Sequence, residues 1–208
     1  MAKQNIEKDP PKGDIKFSLT LSEEQKRAKE LILQKPFNFL IGQAGSGKTL
    51  LAVQIALDML FKRKVNKIVI TRPTVSTEDN GFLPGSEKEK MEPWLVPIKS
   101  NIRKVYNKPE ILTKLEENES LELVSLTHFR GRTFEDCVCI VDEFQNLTKA
   151  QLQMCVGRLG KNATMIFTGD AHQIDLKFKN DSAIHDISKL DKSDWVNKIV
   201  LHDNHRHE

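Results

Sequence analysis

An α/β fold, with a mostly parallel sheet covered by helices on both faces, is predicted by three features of this 208-residue sequence. Short apolar runs of buried-strand length alternate with stretches of helical spacing. The chemically distinctive motifs fall where such runs end, and ligands of parallel sheets sit beyond the strands' C-terminal ends. The third feature is Gly42-Gln43-Ala44-Gly45-Ser46-Gly47-Lys48-Thr49, a G-x-x-x-x-G-K-T pattern. An apolar run precedes it and a helical stretch follows, the context that gives the pattern its meaning.

Taken in order, residues 1–18 are rich in Lys, Asp and Pro and read as a flexible N-terminal segment, with residues 19–208 forming one domain. Ser22-Glu23-Glu24-Gln25 is a capping-box pattern that opens a helix. Ala28, Leu31 and Ile32 give that helix an apolar face, and Pro36 stops it. Phe37 to Ile41 reads as a buried strand and Leu50 to Phe61 as a helix. Lys67 to Thr71 is a second strand, ending at Arg72-Pro73. Glu78 to Pro97 carries Gly, Pro and charge, including Gly81-Phe82-Leu83-Pro84-Gly85, and reads as a long surface loop entering a helix near Trp94 to Val105. Leu121 to Val124 and Cys137 to Val141 are the third and fourth strands. Thr148 to Leu159 is helical, with Gly160 as its stop. Thr164 to Phe167 is the fifth strand and leads into Gly169-Asp170. Ala183 to Leu190 has helical spacing, and Lys198 to Leu201 closes the sheet.

The formal net charge of +3 permits a polyanionic partner without requiring one. No apolar run approaches the ~18 residues that cross a bilayer, and residues 1–16 lack the apolar core of a secretory signal. No membrane partner is expected. Cys137, Cys139 and Cys155 read as buried, reduced thiols, which places the protein in the cytoplasm.

The loop's chemistry follows from its residue types. Gly42, Gly45 and Gly47 let the backbone curl so that N–H groups, including those of Gln43, Ala44 and Ser46, converge on one anion. The helix starting near Leu50 adds a favourable field for phosphate. Lys48 supplies a compact positive charge for β- and γ-phosphates, and Thr49 a hydroxyl ligand for Mg²⁺. Asp142-Glu143 follows an apolar strand. Asp142 suits a metal opposite Thr49, and Glu143 suits deprotonation of an attacking water. Gln173, in Gly169-Asp170-Ala171-His172-Gln173, suits either sensing of the γ-phosphate or positioning of water. Arg206 follows the last strand as a candidate arginine finger, beside His202, His205 and His207, a short His-rich tract of the kind that binds metals adventitiously. Arg72, Arg130 and Arg132 lie near strand ends and are candidate contacts to nucleic-acid phosphates. Phe82, Trp94 and Phe129 read first as core packing, with stacking faces for bases as the functional alternative.

Together these motifs resemble the PhoH family of P-loop ATPases, similar in turn to the motor core of superfamily-one helicases. The resemblance rests on Gly42 to Thr49, Thr71-Arg72-Pro73, Gly81 to Gly85, Arg130-Gly131-Arg132-Thr133, Asp142-Glu143-Phe144-Gln145-Asn146, and Gly169-Asp170 with Gln173 and Asp175. Their order matches as well, over roughly residues 20–207. The resemblance implies a RecA-like P-loop NTPase fold, Mg²⁺-dependent ATP hydrolysis, and linkage to single-stranded RNA or DNA. It also implies roles for Gln25 as an adenine contact, Gln173 as a γ-phosphate sensor and Arg206 as a finger.

The expected function is an ATPase that remodels or translocates on RNA or DNA. A nucleotide-dependent switch or assembly factor acting on proteins is the rival from another class. A P-loop kinase is disfavoured because a carboxylate poised for water, Glu143 beside Asp142, suits hydrolysis. Related helicases close a second RecA-like domain over the nucleotide. A lone domain of this kind is expected to form a homo-oligomer, such as a closed hexameric ring, with Arg206 reaching a neighbour's ATP.

Overall fold

The computed structural model describes residues 17–73, 87–108, 110–190 and 193–205, with the side chains of residues 87–95 outside the description. The expectations for Phe82, for the Gly81–Gly85 loop, for the Trp94 side chain, for Arg206 and for His207 fall outside the described residues.

Six parallel strands form one sheet in the order β3-β2-β4-β5-β1-β6. They are β1 (Phe37–Gly42), β2 (Lys67–Thr71), β3 (Leu121–Leu123), β4 (Cys137–Asp142), β5 (Thr164–Gly169) and β6 (Val196–Leu201). Side chains alternate across a pleated strand, so each central strand feeds two cores. Leu40, Ile68, Ile70, Val138, Ile140 and Ile166 point to one face. There they meet helices α1 (Glu23–Ile32), α2 (Lys48–Phe61), α3 (Glu87–Val105) and α4 (Ile111–Glu117). Phe39, Val69, Cys139, Val141, Met165 and Phe167 point to the other. That face is covered by α5 (Lys149–Val156) and by 3-10 turns at 126–129, 144–146 and 183–190. Phe39 stacks on Phe167 with ring centroids 4.5 Å apart, and Phe144 meets Phe39 edge-on at 5.5 Å. The α/β sheet expected from the strand and helix alternation is therefore present, and where a mostly parallel sheet was expected its six strands all pair in parallel.

Local chemistry explains the helix ends. Ser22 and Gln25 form the expected capping box on α1, and Thr148 and Gln151 form a second on α5. Four details differ from expectation. The helix α3 starts at Glu87 and runs through Pro93 and Pro97, because Ile98, Ile102 and Val105 bury one face and outweigh the prolines. The short helix α4 was not anticipated, though Ile111, Leu112 and Leu115 have helical spacing and are buried. The helix α5 stops at Gly157 rather than Gly160, and residues 183–190 form a 3-10 helix. At the N-terminus, Ser18 is already pinned. Its N–H donates to the Val105 carbonyl at 2.9 Å, and its Oγ accepts from Asn107 N at 3.1 Å.

Every strand among the described residues runs the same way, so the C-terminal ends of β1, β4 and β5 meet at one edge of the sheet. That shared edge gathers the glycine loop, Asp142-Glu143 and Gly169-Asp170 into one place.

Candidate active site

The loop between β1 and α2 is shaped by its glycines. Gly45 and Gly47 have positive φ, 93° and 79°, which side chains resist. Gly42 is needed for a different reason: a Cβ there would lie 2.6 Å from the Leu201 carbonyl oxygen of β6. Ser46 closes the turn, its N–H and Oγ both donating to the Gln43 carbonyl, at 3.2 and 2.9 Å. The Lys48 ammonium is folded onto the loop and donates to the carbonyls of Gly42 and Gln43, each at 2.8 Å.

Opposite the loop, Asp142 ends β4 and is 4% exposed. Its Oδ1 accepts from Thr49 Oγ1 at 2.8 Å and from Thr168 Oγ1, on β5, at 2.6 Å. Glu143 follows with φ 54° and ψ 43°, a left-handed backbone that non-glycine residues rarely adopt. Arg72, just past β2, brings one guanidinium nitrogen to 3.9 Å from Asp142 Oδ2 and another to 3.8 Å from Glu143 Oε1. An arginine predicted to face nucleic acid therefore stands beside the carboxylate pair.

Gln145 ties this corner together. It is fully buried. Its Nε2 donates to Glu143 Oε2 at 2.5 Å and to the Gln173 carbonyl at 3.0 Å, while its Oε1 accepts from Asp170 N at 3.1 Å. The strand-end acid and the Gln173 turn are thus one hydrogen-bonded unit. Between loop and carboxylates lies an open cleft of about 360 Å³, lined by Gly47, Lys48, Thr49, Leu50, Asp142, Glu143, Gly169, Asp170 and Gln173.

The remaining sequence-predicted residues are distributed differently. Gln25 is buried, shares the capping box with Ser22, and points Nε2 at the Ser46 carbonyl at 3.4 Å. It braces the loop from α1. Arg132 makes a bidentate pair with Glu122 at 2.7 and 2.8 Å and lies 4.9 Å from the centre of the Phe134 ring. That pair holds the Glu122 carboxyl below the ordinary glutamate range. Arg130 is exposed and borders a groove with Ser125, Thr127 and Gln151. Phe129 is fully buried, so it belongs to the core. His202 is outside the cleft that holds Lys48 and the carboxylates, borders a second pocket with Gly42 and Gln43, and donates its backbone N–H to Glu24. Among the described residues, no group of three His, Cys, Asp or Glu side chains could hold a metal. Cys137, Cys139 and Cys155 are free and buried, and burial pushes the Cys155 thiol up to about 12.

A family profile described as PhoH-like protein matches residues 19–208. The chain belongs to the PhoH-like family. A PhoH-like protein of Bacillus subtilis (strain 168) is 45% identical over 139 residues, covering 66% of this chain and 43% of the relative. Another from Mycobacterium leprae (strain TN) is 40% identical over 153 residues, covering 73% of this chain and 44% of the relative. The chain spans less than half the length of these curated relatives. The SWI2/SNF2 ATPase core of Sulfolobus solfataricus, solved in complex with dsDNA, superposes with a TM-score of 0.53 at 14% identity, over 90% of this chain and 46% of that one. That likeness concerns the fold, which is α/β, RecA-like and of the P-loop NTPase type. No helix among the described residues is long and apolar enough to cross a membrane.

Several cleft residues of this PhoH-like chain carry no local sequence signal. Asn101 and Lys104 reach the cleft from α3, and only the packing of α3 on the α2 face brings them there. His205 also lines the cleft, its N–H donating to the Gly45 carbonyl at 3.1 Å. The stretch before it is held by Glu24 on α1, whose carboxylate accepts from the N–H groups of His202 and Asp203 at 2.8 and 3.1 Å. Partial burial raises the Glu24 carboxyl, but those two N–H donors outweigh it and keep the group below its ordinary value.

Proposed function

We propose that this chain is an ATPase domain that acts with Mg²⁺ in the cytoplasm and couples ATP hydrolysis to remodelling of, or movement along, single-stranded RNA or DNA. The observation that carries the reading is the 2.8 Å contact between Thr49 Oγ1 and Asp142 Oδ1 across the mouth of the glycine loop. A hydroxyl and a carboxylate brought together beside a phosphate-binding loop are the hard oxygen donors that suit Mg²⁺, which keeps most of its waters and takes few protein ligands. Thr49 and Asp142 would hold the ion, and the chemistry it would supply there is neutralisation of phosphate charge. Lys48 exchanges its two carbonyl partners for phosphate oxygens, and the N–H groups of Gln43 to Thr49 cradle the rest. Glu143 takes the proton of the attacking water. Gln145 fixes the carboxylate of Glu143 through Oε2, and Arg72 supplies positive charge at its other oxygen. Gln173 contacts the γ-phosphate side of the cleft.

Nucleic acid is the proposed partner because Arg130 presents an exposed guanidinium beside Ser125 and Thr127 hydroxyls, the donor types that bind phosphate backbones. The solved neighbour with dsDNA adds support at the level of fold. Of the three arginines expected there, Arg130 is the favoured contact, since Arg132 is committed to Glu122 and Arg72 to the carboxylate pair. A homo-oligomer with Arg206 acting across an interface remains part of the proposal. Its test mixes Arg206→Ala with Lys48→Ala subunits, where recovered hydrolysis means a shared site.

The deciding experiment measures ATP turnover with and without single-stranded RNA, single-stranded DNA and duplexes. Stimulation by single strands is expected. Turnover indifferent to every nucleic acid would favour the nucleotide-dependent switch acting on proteins. A phosphorylated acceptor in place of free phosphate would make the protein a kinase.

A further inference from the structure

Phe178 is 66% exposed, and it is the one phenylalanine among the described residues that faces solvent. Lys177 and Lys179 flank it, both exposed and neither in an ion pair among the described residues. A single exposed aromatic is ordinary by itself. This one sits at the tip of a short excursion whose two ends are stapled to the catalytic corner. On the incoming side, Asp175 N donates to Asn146 Oδ1 at 2.8 Å and Asn146 Nδ2 returns to Asp175 Oδ2 at 3.3 Å. Gln145 holds the Gln173 carbonyl. On the outgoing side, Ser182 Oγ donates to the Gln145 carbonyl at 2.5 Å and Ala183 N to the Leu147 carbonyl at 2.8 Å. Ile174 and Ala183 bury the roots of the excursion. The tip is therefore presented on a fixed base, so ordering it for a partner has a low entropic cost.

We propose that Lys177-Phe178-Lys179 is a docking contact for single-stranded nucleic acid, and that strand binding there biases the Glu143 and Gln173 corner through the Asn146–Asp175 and Gln145 staples. The inference deepens the function proposed above and rests on its nucleic-acid half. An aromatic face between two cations fits one unpaired base and its neighbouring phosphates. Such a contact reads no base edge, so uridine RNA and thymidine DNA should both use it. A duplex hides its base faces and should not.

The test titrates fluorescently labelled oligo-uridine and oligo-thymidine strands of about 20 nucleotides against full-chain variants at several salt concentrations. Phe178→Ala should weaken binding about fivefold to a hundredfold and leave the salt slope unchanged. Lys177→Ala and Lys179→Ala should each flatten that slope by about 0.7. Phe178→Trp should retain affinity, and the introduced indole should be quenched on adding strand. Thermal unfolding midpoints equal to wild type exclude misfolding of these surface variants. Asn146→Ala, which cuts the staple, should keep strand affinity and lose strand-stimulated ATP turnover; persisting stimulation would overturn the coupling. If wild type binds strands and Phe178→Ala binds them equally well, the docking contact is wrong while the broader reading stands. If wild type hydrolyses ATP but binds no strand at low salt, both the contact and the nucleic-acid half of the proposed function fall. If Phe178→Ala instead dissociates an oligomer without changing strand affinity per subunit, the tip is a protein–protein anchor and the proposal is refuted.

Discussion

Replacing Gln145 with leucine tests how much the catalytic corner depends on one buried amide. Leucine is close to glutamine in volume, so Gln145→Leu opens little cavity and mainly removes hydrogen bonds. Three are lost: the donations to Glu143 Oε2 and to the Gln173 carbonyl, and the acceptance from Asp170 N. The Asp170 N–H is buried and would be orphaned, at a cost of about 1–3 kcal/mol. The bond to the half-buried Glu143 carboxylate contributes about 1 kcal/mol, and the Gln173 carbonyl, which water can reach, somewhat less. The expected sum is a loss of about 3–5 kcal/mol, seen as a lower urea midpoint at an unchanged slope. Hydrolysis should suffer separately. With Oε2 of Glu143 released, single-turnover hydrolysis should fall about tenfold to a hundredfold while ATP affinity stays near wild type. A stability loss below about 1 kcal/mol, or hydrolysis within about twofold of wild type, would refute the idea that this amide positions the acid.

Two further outcomes follow from the same geometry. Glu143→Gln should bind ATP normally and lose most hydrolysis, because an amide cannot accept the proton; nucleotide titration with single-turnover assays checks it, and near-normal hydrolysis would remove Glu143 from catalysis. Arg132 holds the Glu122 carboxyl below its ordinary value of 4.5, so that pair contributes stability that is present above 4.5 and is lost as pH falls through the lower folded value. Glu122→Gln should therefore cost about 1–2 kcal/mol near pH 7, with the gap to wild type closing below 4.5 in urea unfolding; a pH-independent gap would argue against the ion pair.

What could be read from the sequence was local. The strands β1, β2, β4 and β5 are mostly apolar runs with centres buried on both faces, and the glycine loop announces its own turn and helix. The carboxylate pair was legible because it ends such a run. Gln145 was not, because its amide acts on a turn 25–28 residues downstream that only the β4–β5 pairing brings close. Asn101 and Lys104 were hidden for the same reason, their place in the cleft depending on how α3 lies on α2. The three arginines near strand ends looked alike in sequence. Their partners separate them: Arg72 faces carboxylates, Arg132 is spent on Glu122, and Arg130 is left at the surface.

The left-handed backbone at Glu143 sets stability against function at a single position. A glutamate held at φ 54° costs about 1–2 kcal/mol relative to an ordinary backbone, and its carboxylate is held in place by Gln145 and faces Arg72. Asparagine visits this region far more readily. Glu143→Asn relieves part of that strain but gives up the bond from Gln145 and the nearby Arg72 charge, so its urea midpoint should stay close to wild type while it hydrolyses almost no ATP. The strain is therefore held in place by the same side-chain contacts that aim the carboxylate, and loosening either one loosens both.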